Sequence, residues 1–169
     1  MNVLAPVRWM DDYTPRAKVY WWTTTLVGAA ALGLAVASVG QLDPGAVLQI
    51  LGGTVIAALT GLFPVRIPGT KTSLAGAELF IFLLLLVHGP AAATIAAAAE
   101  AAVGSYRTSK RSTSRLGSPT MAALAMYGCG TAYALATTAA RNEGLSSHAG
   151  LFVGLLQFAL ACFASARRC

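Results

Sequence analysis

Six stretches of this chain are long, apolar and almost free of charge: about 19–39, 44–63, 72–88, 90–105, 118–138 and 148–166. Most approach the ~20 residues that an α-helix needs to cross a hydrocarbon core of ~30 Å. This pattern predicts an all-α fold, a polytopic membrane helical bundle with about six transmembrane helices. The charge content agrees: 11% of residues are charged, against about 25% in an ordinary soluble domain. The expected division is an N-terminal segment 1–18, a transmembrane domain 19–166 and a tail 167–169. That leaves no room for a soluble domain beside the bundle.

The basic residues fall in alternate connections. Arg8, Arg16 and Lys18 precede the first segment, Arg66 and Lys71 follow the second, and Arg107, Lys110, Arg111 and Arg115 follow the fourth. Arg167 and Arg168 follow the sixth, and Arg141 alone lies on the other side. The positive-inside rule then places both termini and the loops 64–72 and 106–117 in the cytoplasm. The net charge of +6 is thus a topology signal, and no nucleic-acid partner is expected. Tyr20, Trp21 and Trp22 suit an interfacial belt that anchors a retained first helix. Ala35-Val36-Ala37 resembles a signal cleavage site, but the apolar run before it is long for a signal peptide.

Local punctuation fixes several expected boundaries. Asp43 with Pro44 reads as a cap and first turn, as does Ser118 with Pro119. Gly89-Pro90 alone separates the third and fourth segments, which predicts a tight antiparallel hairpin. The fourth segment is mostly alanine, so it belongs inside the bundle, where small side chains let backbones approach closely.

Two glutamates stand in this hairpin. Glu78 and Glu100 each lie eleven residues from Gly89, and in an antiparallel pair equal separation from the turn means equal depth. Carboxylates at such a depth are tolerated when they face a cavity, pair with a cation or hold a proton. A ligand or proton site and a purely packing role are both open. His88, beside the turn, reads as a pH-sensing or ligand group or as an interfacial residue. Gln49 and Gln157 read as ligand contacts or as hydrogen bonds between helices. Arg107, Lys110, Arg111 and Arg115 form a basic run that suits anionic lipid headgroups, besides setting topology.

Catalytic and metal-binding patterns are missing from the sequence, including H-E-x-x-H, G-x-S-x-G, a phosphate-binding glycine loop and any Cys/His cluster. Neither an enzyme activity, a cofactor nor a metal is expected. Cys129, Cys162 and Cys169 have no ligand spacing, and the first two read as small hydrophobes.

The stretch FPVRIPGTKTSLAGAELFIFLLLLVHGPAAATIAAAAEA (63–101) resembles the N-terminal multi-helix membrane sensor module found ahead of bacterial GGDEF, HD-GYP and histidine kinase output domains. The features are Arg66 with Pro68, a Ser73-led helix of large aliphatics, and Gly89-Pro90 opening an alanine-rich helix. The resemblance covers about 60–140. It implies a signal-input role in a bacterial cytoplasmic membrane, with no particular ligand. Such modules precede an output domain, whereas this sequence ends at Arg167-Arg168-Cys169, so the expectation is a sensor module without its output in this chain. The expected partners are the lipid bilayer, a cytoplasmic signalling output domain or protein, an unidentified small molecule and a second copy of the chain. A small transporter or substrate-binding membrane subunit is the alternative, and a structural membrane protein a further one.

Overall fold

A computed structural model describes residues 13–62, 65–66, 73–74, 76–109 and 111–142. The fold is all-helical apart from one two-residue β ladder. Its elements are α1 (Pro15–Val39), α2 (Pro44–Gly61), β1 (Val65–Arg66), β2 (Ser73–Leu74), α3 (Ala77–His88), α4 (Pro90–Thr108) and α5 (Ser112–Asn142).

The caps explain the helix starts. Thr14 accepts a hydrogen bond from the Ala17 amide, and Pro15 occupies the first turn, where its missing N–H costs nothing. α1 therefore begins about one turn before the expected 19, with Arg16 and Lys18 inside the helix. Asp43 Oδ2 accepts from the Gly45 amide at 3.1 Å, so the Asp43-Pro44 start is as expected. The hairpin is also as expected. Gly89 takes φ 85° and ψ −173°, a conformation open almost only to glycine, and Pro90 starts α4 immediately.

Two expected boundaries are corrected. The third segment does not become helical at 72. Ser73 and Leu74 pair antiparallel with Arg66 and Val65, and α3 starts only at Ala77. The fifth segment does not start at Ser118-Pro119. α5 begins at Ser112 and carries Pro119 inside it. Only one helical hydrogen bond is lost at a proline, and here the loss falls in the second turn. The expected loop 106–117 is therefore mostly helix, the end of α4 and the start of α5. The sixth segment, 148–166, lies outside the described residues. Five helices rather than six are thus described, and two of them, α1 and α2, are long and apolar enough to cross a membrane.

α4 is the hub, packing against α1, α2, α3 and α5. Its Ala92, Ala93, Ala96, Ala97 and Ala98 are buried, in line with the expected interior position. Large apolar side chains face outward instead: Leu26 and Leu34 on α1, Leu48 and Val55 on α2, Leu79 and Leu83 on α3 are all exposed. A soluble domain distributes these sizes the other way, with its large aliphatics inside. Several threonine hydroxyls close onto their own helices. Thr23, Thr60, Thr94 and Thr137 each donate to a carbonyl three or four residues back.

Candidate functional site

The bundle has two chemically distinct ends. Trp21, near the start of α1, lies against Gly117 near the start of α5. The Arg107 guanidinium, near the end of α4, donates to the Leu62 carbonyl that follows α2. These contacts bring the starts of α1 and α5 and the ends of α2 and α4 to one end, together with the start of α3. At the other end Gly130 of α5 packs on Pro90, at the hairpin turn. Arg16, Lys18, Arg107, Arg111 and Arg115 all lie at the first end, and so do Tyr20, Trp22 and Tyr106, all three exposed. Asp43 and His88 lie at the opposite end.

Glu78 and Glu100 both belong to the basic end. Glu78 is the second residue of α3 and is exposed; Glu100 is half-buried on α4. The α3–α4 hairpin, turning at Gly89, sets the two at the same end. The Glu100 side chain rests on the last turn of α2, so tightly that a Cβ on Gly61 would stand 2.9 Å from its Cγ. Two turns later on the same face of α4, Arg107 holds the Leu62 carbonyl. One stripe of α4, Glu100 to Arg107, thus meets the C-terminus of α2, with Glu100 packed on it and Arg107 hydrogen-bonded to it. The carbonyl end of a helix carries partial negative charge, which Arg107 complements.

The other sequence candidates lie elsewhere. His88 is the last residue of α3, ten residues and about 15 Å along the helix from Glu78 at ~1.5 Å per residue. Gln49 is exposed on α2, in the half of that helix nearer the opposite end. Gln157 lies outside the described residues. The glutamates are therefore brought together, while His88 and Gln49 are not gathered with them.

The basic run is also partitioned. Arg115 donates from Nε to the Ser109 carbonyl at 2.9 Å and lies over the Tyr106 ring, 5.1 Å from its centroid. Ser109 follows the last residue of α4, so Arg115 closes the end of α4 as Arg107 closes that of α2. Arg111 is exposed, with its backbone N–H donated to Ser109 Oγ at 3.2 Å. Lys110 lies outside the described residues.

Sequence reasoning missed Thr54. It lies on the inward face of α2 with Ile50 and Ala57, is nine-tenths buried, and its hydroxyl has no hydrogen-bond partner. The cue was its spacing, four residues after Ile50 and three before Ala57. Cys129 on α5 carries a free, half-buried thiol. Among the described residues no three His, Cys, Asp or Glu side chains gather as a metal site. Comparison of the chain with protein-family models, curated proteins and solved structures finds no match.

Proposed function

We propose that this chain is a multi-pass integral membrane protein of the bacterial cytoplasmic membrane, with its basic end in the cytoplasm, and that it serves as a signal-input module. The observation that carries the membrane reading is the run of large aliphatic side chains on the outside of the bundle. Leu26, Leu34, Leu48, Val55, Leu79 and Leu83 are exposed, while the central α4 is lined by buried alanines beside Ile50, Leu84 and Leu85, as suits a bundle solvated by lipid and held by close backbone packing. The collection of five basic and three exposed aromatic side chains at one end supports the orientation. The helices then alternate across the bilayer, α1 outward and α2 back, and the sixth apolar segment of the sequence completes the count.

The signal-input reading rests on the resemblance over 63–101 and on the place of α4. A helix that touches every other described helix passes any displacement to all of them, including α5. A second reading, a small transporter or substrate-binding subunit, is favoured by the paired glutamates at the cytoplasmic end. It requires that Glu78→Gln with Glu100→Gln abolish uptake of a substrate.

Single cysteines at positions 111 and 42, in a cysteine-free background, test the topology. An impermeant maleimide should label position 111 only from the cytoplasmic face and position 42 only from the opposite face. Labelling of both from one side overturns it. An immunoblot of native membranes tests the role. A band well above the 17.3 kDa of this sequence favours a fused output domain, and a band at 17.3 kDa moves the transporter reading forward.

A further inference from the structure

We infer that the junction of α4 and α5 is a binding surface for the phosphate of an anionic phospholipid, built from Arg107, Arg111 and Arg115. The inference rests on the membrane reading above.

A guanidinium carries five N–H donors in a fixed fork. Arg107 uses one on the Leu62 carbonyl. Arg115 uses Nε on the Ser109 carbonyl and has one face on Tyr106. Both keep donors to spare, and both are held by contacts to other parts of the chain. Little side-chain freedom then remains to be lost when an anion arrives. Arg111 lies between them in sequence, exposed, immediately before α5 and four residues before Arg115. Between Glu100 and Glu143 the sequence contains no acidic residue, so no carboxylate of the junction itself competes for these donors. Among the described residues the acids at this end are Glu100, two turns deeper on α4, and Glu78, at the start of α3.

The neighbours of the arginines select a lipid over a soluble phosphate. Tyr106 is 64% exposed and Leu116, next to Arg115, is 48% exposed. An aromatic ring and an aliphatic side chain flanking a cationic cluster match a phosphodiester with acyl chains directly below it. A free phosphate has no use for either. Arginine suits the task better than lysine, because only a planar fork can hold a carbonyl, stack on tyrosine and still present donors.

The test is lipid retention by the full chain. The protein is reconstituted in mixed phosphatidylcholine and phosphatidylglycerol, extracted in mild detergent, and its bound lipid is counted by native mass spectrometry. Phosphatidylglycerol should be enriched over the bulk ratio. Arg111→Gln, whose side chain supports no described contact, should lower the enrichment roughly fivefold, the effect of one basic residue near an anionic leaflet. Arg115→Lys should lower it as well, while Arg16→Gln, on α1, should leave it within about twofold. Bulk-ratio lipid in the wild type overturns the inference. So does equal enrichment in wild type and Arg111→Gln, or displacement of the lipid by millimolar inorganic phosphate. Failure of the protein to enter phosphatidylcholine bilayers at all sinks the membrane reading, and the inference with it.

Discussion

Gly28 of α1 lies directly against the backbone of Thr120 of α5. A Cβ at Gly28 would overlap the Thr120 carbonyl oxygen and stand 2.6 Å from its carbonyl carbon. Neither atom can rotate away, since both belong to a helix. Gly28→Ala should therefore force α1 and α5 apart and cost about 3 kcal/mol, the upper end of ordinary overpacking. Gly33, on the same helix, would place a Cβ with nothing within 4 Å. Gly33→Ala should be neutral or slightly stabilising, by up to about 1 kcal/mol of helix propensity. Thermal unfolding of both variants in detergent separates them. Equal losses would mean that the α1–α5 crossing is not this close.

Gly89 tests the hairpin. A Cβ there would meet nothing within 4 Å, so space is not the constraint. The constraint is its φ of 85° with ψ near 180°. Gly89→Ala should cost about 1–3 kcal/mol through backbone strain alone. Gly76→Ala is the matched control, open in space and at an ordinary φ of −61°. A loss at Gly89 no greater than at Gly76 would show that the turn adopts another conformation.

Gly89-Pro90 and Asp43-Pro44 were readable because the residues that make each turn are adjacent in sequence. The interior place of α4 was readable from its alanines. Pro119 misled for the same local reason. Ser-Pro is a good helix start, but α5 already begins at Ser112 and absorbs the proline in its second turn. The β ladder between 65–66 and 73–74 carries no pattern of its own in two residues per strand. Contacts between distant segments left no trace at all. Glu100 against Gly61, Arg107 on the Leu62 carbonyl and Gly28 on Thr120 depend on how helices cross, which no spacing encodes. The mirrored positions of Glu78 and Glu100 suggested equal depth but not which side chain would rest on α2.

The basic run offers a comparison between arginines that look alike in sequence. Arg107→Ala removes the donor on the Leu62 carbonyl and should cost about 1.5 kcal/mol, the low end for a charged donor because the side chain is exposed. Arg111→Ala removes no described side-chain contact and should stay within about 0.5 kcal/mol of wild type. Unfolding midpoints in one detergent decide it. If Arg111→Ala proves the more damaging, the closing role of Arg107 at α2 is wrong.

The contact between Glu100 and Gly61 can be isolated by a double-mutant cycle. In the wild type, Gly61→Ala pushes a methyl to 2.9 Å from Glu100 Cγ and 3.2 Å from Oε1. The glutamate must move to make room. Gly61→Ala should therefore cost about 1–2 kcal/mol, within the range for overpacking. Glu100→Ala empties the space that the new methyl needs. In that background Gly61→Ala should cost close to nothing, so the interaction energy should reach about 1 kcal/mol or more. Glu100→Gln separates packing from charge, because the amide keeps the volume and loses the charge. Gly61→Ala should remain costly in the Glu100→Gln background. If it becomes free there, charge rather than shape governs the contact. If the two alanine substitutions add within about 0.3 kcal/mol, Glu100 does not rest on α2.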